Sequence, residues 1–349
     1  MKKYKICKIL LVILAIFLCV AFYELLGICV AYKKQPEVSN TTKKETKNGS
    51  WNECSENTER AVIIEKNPEA LLQRVRLIKN AKKEIILSTF AFQSDESGKL
   101  ILGALHDAAD RGVHIRLLVD GMESWIDMEG NPYFYGLSSH ENVEIKLYNK
   151  ANPLKPWKMM GRMHDKYLIA DGKRYILGGR NTYNYFLGDF PGHKNYDRDV
   201  LVVCDEPEKE NSVNQLLEYF ETIWEQEDSG YFHDNKKLAN RKSVKNAVLE
   251  LQNGYQKYFE ENKERICDTD YTDETFETEK IALVSNPIHT GPKEPVVWYQ
   301  LGELMKNAKE RVKIHTPYII CNDMMYNTWK EIAERVPDFS IMTNSVANN

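Results

Sequence analysis

His164, Lys166 and Asp171 stand in the order His-x-Lys-x4-Asp, and six residues later comes Gly178-Gly179-Arg180-Asn181. An imidazole, an ammonium group and a carboxamide set this close together suit phosphoryl transfer. A neutral imidazole nitrogen can attack phosphorus and form a covalent phosphohistidine. A carboxylate on the other ring nitrogen would hold the tautomer this requires. The Lys166 ammonium can neutralise charge building on the phosphoryl oxygens, and the Asn181 amide can donate to the same atoms. The set needs no metal and no organic cofactor. Asp171 reads as a structural partner that holds its loop.

These residues need a hairpin to meet. Lys166 to Ala170 reads as a strand, so His164 and Lys166, two apart, share a face. Gly172 turns the chain and Arg174 to Leu177 returns, bringing Asn181 back toward His164. Without side chains, Gly178 and Gly179 would let the backbone approach closely and leave room for a bulky anion. Lys150, Lys155, Lys158 and Arg162 precede the motif with no acid between residues 150 and 164. They either raise the local potential for a phosphate or form an ordinary solvated loop. Asp95 follows the strand-like EIILSTFAF (84–92) and reads as the cap of the next helix. Trp125, Trp157, Tyr133, Phe134 and Tyr135 could form an apolar lip toward lipid, with core packing expected for most of them.

Around the motif, strand and helix signals alternate. Residues 61–65, 84–92 and 113–120 read as strands. Pro68 to Lys82 and Leu100 to Arg111 have helical spacing, the second stopping at Gly112. The order recurs: 281–285 as a strand, Trp298 to Lys309 as a helix, 311–320 as a strand, Asp323 to Arg335 as a helix and 339–345 as a strand. Asn211 to Glu227 and Leu238 to Arg265 read as helices between the copies. This predicts an α/β chain with a duplicated unit whose second copy is cut short.

The composition is compatible: 349 residues, 42% hydrophobic and 28% charged, with 18 Gly and 12 Pro, exclude collagen and a mostly disordered chain. A net charge of -4 gives no global attraction to nucleic acid. The seven cysteines include no CxxC pair, which argues against a zinc site; one disulfide among Cys54, Cys204, Cys267 and Cys321 stays open. Residues 9–32 are apolar but for Glu24, long enough to span a bilayer. Lys2, Lys3, Lys5 and Lys8 favour a cytoplasmic N-terminus and an extracytoplasmic globular part. A cleaved signal peptide ending near Glu24 is the rival reading. The expected division is an anchor (1–32), a polar flexible linker (33–60), a first lobe with the motif (61–270) and a partial second lobe (279–349).

HxKx4D followed by GGxN resembles the phospholipase D superfamily. The wording of AADRGVHIRLLVDG (108–121), GRMHDKYLIADGKRYILGGRN (161–181), DRDVLVV (197–203), HTPYII (315–320) and MTNSVANN (342–349) is most similar to bacterial cardiolipin synthases. The resemblance implies a duplicated α/β/α sandwich in which His164 is the nucleophile and Lys166 and Asn181 bind phosphate. Asp171 would be structural, and Asp197 or Asp199 would orient the histidine, with Asp197 favoured by alignment. It also implies a second HxKx4D histidine as general acid. None of the other seven histidines carries that motif, so a truncated chain is expected, or two chains pooling their His164 motifs in a homodimer. The function implied is a membrane-tethered, single-pass phosphatidyltransferase or phospholipase D acting on phospholipid, with no nucleic-acid partner. A nuclease of the same superfamily and a non-catalytic membrane binding module are the alternatives.

Overall fold

The computed structural model describes residues 2–49, 59–207, 211–233 and 236–345. Two compact units emerge, one from residues 1–33 and 54–283, the other from 34–53 and 284–349. The first opens with α1 (Lys2–Tyr32), within which Lys8–Tyr32 is long and apolar enough to cross a membrane. The second includes α2 (Asn40–Asn48), where the sequence predicts only a structureless tether. Capping rather than periodicity accounts for this helix: Ser39 accepts from Thr42 N, and Gly49 closes the end at φ 72°. The rest of the expected linker, 50–58, lies outside the described residues.

The first unit continues through β1 (Arg60–Ile64), α3 (Asn67–Asn80), β2 (Glu84–Thr89), α4 (Glu96–Asp110), β3 (His114–Asp120), α5 (Gly121–Asp127), α6 (Pro132–Ser138) and β4 (Val143–Tyr148). It then runs through β5 (Tyr167–Ala170), β6 (Arg174–Gly178), β7 (Asp199–Val203), α7 (Ser212–Trp224), β8 (Ser229–Tyr231), α8 (Lys242–Glu261), α9 (Lys263–Cys267) and β9 (Phe276–Glu277). These strands form one mixed sheet in the order β8-β4-β3-β2-β5-β6-β7-β1-β9. Strands β2, β3 and β4 pair in parallel, with Leu87 beside Leu117 and Leu117 beside Ile145. Their unbroken apolar runs suit burial on both faces, and α3, α4 and α8 contribute Leu71, Val75, Leu102, Leu105 and Leu251 to the same core. Asp95 caps α4 by accepting from Gly98 N at 3.0 Å, as its position suggested.

From β2 across to β1 the pairing is antiparallel. The C-terminal ends of β2, β3 and β6 and the N-terminal ends of β5 and β7 therefore meet at one edge of the sheet. Every candidate catalytic residue except Asp171 lies at that edge.

The second unit holds α10 (Val296–Lys306), β10 (Arg311–His315), α11 (Asp323–Arg335) and β11 (Asp338–Met342). Strands β10 and β11 pair in parallel, repeating the helix–strand–helix–strand order of α3-β2-α4-β3. Val312, Ile332 and Val336 make its small core, and Glu294 joins α2 by accepting from Ser39 N and the Thr42 hydroxyl. Residues 281–285, expected as a strand, join neither sheet: their apolar residues find no strand to pair with, so the segment stays irregular. Residues 346–349 of MTNSVANN lie outside the described residues. Cys267 and Cys321 are free thiols, and Cys204 is buried.

Candidate active site

The hairpin forms as expected, with Tyr167 opposite Leu177 and Ala170 opposite Arg174. Gly178 N donates to Lys166 O at 3.1 Å, fastening the start of β5 to the end of β6. The next connection is long-range. Thr182 N donates to Ala91 O, and Gln93 N to Thr182 O, so residues 91–93 run beside 181–182. Asn181, buried, accepts from Ala91 N at 3.2 Å through its Oδ1, and its side chain also hydrogen-bonds Tyr183.

Phe90 is the hub. The His164 ring packs against it with centroids 4.7 Å apart. The Lys166 ammonium lies 5.3 Å from the same ring and donates to His164 O at 2.6 Å. His164 is exposed at the rim while Lys166 is buried beneath it. Partial desolvation, with help from the Lys166 charge, pulls the His164 pKa below its ordinary 6.5. Burial pulls Lys166 down to about 8, against the opposing pull of Asp165, Asp197 and Asp120.

Asp171 sits at the far end of β5 with φ 55°. Its carboxylate accepts from the main-chain N–H of Lys82, Lys83 and Glu84 at 2.9, 2.7 and 3.0 Å, tying the hairpin turn to the start of β2. It is distant from the His164 edge and fits the structural part expected of it.

The glycine pair behaves differently from the sequence expectation. The room it leaves is occupied by carboxylates of this chain, not left open for an anion. A Cβ on Gly178 would come within 2.0 Å of Asp199 Oδ1, and one on Gly179 within 2.1 Å of Asp197 Oδ2. Asp199 is fully buried and ion-paired to Arg74 at 2.9 Å and Arg180 at 3.2 Å. Asp197 is half-buried over Gly179, accepts from Arg198 N at 2.7 Å, and acts by its charge on Lys166. Among the described residues, neither carboxylate hydrogen-bonds the His164 ring.

Asp120 was missed by sequence reasoning. At the end of β3, its buried carboxylate accepts from Met163 N at 3.0 Å, Met122 N at 3.0 Å and the Arg162 guanidinium, whose Nε lies at 3.1 Å. It thereby fixes the backbone one residue before His164. The signal available was an acid ending an apolar strand before Gly121, which only acquires meaning once β3 is placed beside β2. Asp120→Asn should cost about 2–3 kcal/mol, because an amide nitrogen would oppose N–H donors on every side. A drop in the urea midpoint together with loss of turnover is expected; unchanged values in both would remove this positioning role.

Residues 74–224 match the family model described as cardiolipin synthase, PLD-like domain. The match places a phospholipase D-like domain in these residues. Cardiolipin synthase C of Escherichia coli K12 is 29% identical over 171 residues, covering 45% of this chain and 34% of the relative. An uncharacterized Helicobacter pylori protein is 28% identical over 316 residues, 82% of this chain and 60% of its own length. The chain thus spans about 60% of the length of that relative. Among solved structures, the phosphatidylserine synthase of Haemophilus influenzae Rd KW20 shares the fold, with a TM-score of 0.58 at 16% identity over 87% of this chain and 66% of that one. The phospholipase D-like domain contains His164, Lys166, Asp171, Asn181, Asp197, Asp199 and the newly recognised Asp120.

Proposed function

We propose that the chain is a membrane-tethered phosphodiesterase or phosphatidyltransferase that acts on phospholipid, most like a cardiolipin synthase, with His164 as nucleophile. The grouping of His164, Lys166 and Asn181 around Phe90 and Ala91 carries this reading. In it, a His164 nitrogen forms a bond to phosphorus as the bond to the first alcohol breaks. Lys166 and the Asn181 amide steady the phosphoryl oxygens. The departing alkoxide takes a proton from a second histidine, for which His164 of another copy is a candidate. That histidine then accepts the proton of the incoming alcohol or water, which displaces His164 from phosphorus. Asp199 is held between two arginines and Asp197 acts on Lys166, so in this reading Asp120, whose charge acts on the His164 ring, favours the histidine's charged, phosphorylated state.

The proposed activity is tested by following release of free head group from vesicle phospholipid and, separately, cleavage of single-stranded DNA. Lipid turnover supports the reading, whereas DNA cleavage without it moves the chain to the nuclease branch. The pH profile follows from the two shifted groups. His164 must be neutral, and its pKa lies below 6.5, so the acid limb of kcat/KM falls below that pH. Lys166 must be charged and the second histidine protonated, so activity declines as pH rises, with Lys166 losing its proton at about 8. Lys166→Arg should move the alkaline limb upward, since a guanidinium stays protonated; an unmoved limb would assign it to another group.

A further inference from the structure

We infer that the loop 150–161, together with the exposed last turn of the helix after β3, is a lip that enters the bilayer interface beside His164, its occupant being the lipid surface that receives α1. This rests on α1 crossing a membrane, as proposed above.

The loop leaves the end of β4 and returns just before His164. Its neck is closed by Asn149, at φ 50°, whose amide donates to Lys158 O and Gly161 O at 2.7 and 2.9 Å. Arg162 braces it from within by donating to Asn149 O while holding Asp120. Helix α5 leaves the sheet beside this neck, since a Cβ on Gly121 would lie 2.6 Å from Lys150 N. On this scaffold Trp125, Ile126, Leu154, Trp157 and Met160 are 68, 68, 78, 44 and 57% exposed. Exposing large apolar side chains on this braced loop and on the helix beside its neck is costly in water. Tyr133 is half-buried, while Phe134 and Tyr135 are buried in the core; only the two tryptophans of the expected lip face outward.

What covers the patch follows from α1. Tyr23 donates its hydroxyl to Leu154 O at 3.0 Å, and Gly27 lies against Pro156 so closely that a Cβ would come within 2.5 Å of Pro156 Cγ. From Ala21 onward the helix shows a half-buried stripe at Ala21, Glu24, Gly27, Ile28, Ala31 and Tyr32, while residues 8–20 are exposed all round. Residues 8–20 rise only ~20 Å at 1.5 Å each. The hydrocarbon layer is ~30 Å thick. The missing ~10 Å has to be spanned by the turns that carry the loop, which draws the lip to the hydrocarbon boundary. Lys155, exposed between Leu154 and Trp157, can reach back to anionic head groups.

The test uses the full chain reconstituted in vesicles of phosphatidylglycerol and phosphatidylcholine brominated on its acyl chains. Bromine should quench tryptophan emission of the parent protein. Trp125→Phe with Trp157→Phe should remove most of that quenching, and Gly27→Leu should reduce it with all tryptophans in place. Retention of α1 through alkaline carbonate washing, with no quenching difference between parent and double variant, would overturn the lip but leave the anchor standing. Loss of the whole chain in the wash would overturn both. A double variant that loses chemical cross-linking between chains instead of quenching would assign the patch to a second copy and overturn its lipid role. Quenching without any phosphodiester turnover would uphold the lip and sink the proposed chemistry alone.

Discussion

Replacing His164 by Asn is expected to lower phospholipid turnover by about a thousandfold or more, since a nucleophile has no substitute when a carboxamide takes its place. The ring touches Phe90 and is exposed at the rim, so the substitution removes little packing, and the thermal midpoint should stay near that of the parent. That separation makes the experiment decisive: activity lost with the fold intact assigns chemistry to this side chain. Rapid quenching of the parent in alkaline detergent with phosphate-labelled lipid should trap a protein adduct that is acid-labile and alkali-stable, as a phosphohistidine is. The variant should trap none. Full activity in the Asn variant, or an adduct that persists in it, would end the nucleophile assignment.

Asp199→Ala should be the most damaging change to stability, at about 3–5 kcal/mol, because it strands two buried guanidinium groups. Arg74 and Arg180 have side chains 4% and 0% exposed, and Asp199 is the carboxylate both of them reach. Burial and the neighbouring Arg74 charge already hold the Arg180 pKa below its usual value, the opposing pull coming from Asp199. Arg74→Met leaves the Asp199–Arg180 pair intact and should cost less, about 1–3 kcal/mol. Urea unfolding of the full chain distinguishes these results. Equal costs for the two variants would mean that the second ion pair contributes nothing.

The chemistry-bearing hairpin was legible because its geometry is local. A Gly-containing turn returns the chain within a few residues, which spacing alone suggests; the strand expected from Lys166 begins at Tyr167, so His164 and Lys166 precede it and strand alternation does not set their faces. Asp171 could likewise be set apart as structural, although its actual bonds, to N–H groups of residues 82–84, could not be named. The helix in 40–48 escaped because it is polar, and the strand expected at 281–285 failed because an apolar run becomes a strand only beside another strand. The purpose of Gly178 and Gly179 was misjudged for a related reason: the groups that fill the space come from β7 and its approach, some twenty residues on.

From the sequence alone came the candidate catalytic residue types, the hairpin that carries them, the alternating α/β order and a helix fit to cross a membrane. Each depends on periodicity or spacing inside a single element. Tertiary structure alone decided that Phe90 seats both His164 and Lys166, that Asp120 anchors the residue before the histidine, that two distant arginines claim Asp199, and that α1 lies along the loop 150–161. Those contacts join residues roughly 20 to 130 positions apart. Strand register and packing set them, and no short-range pattern in the chain encodes either.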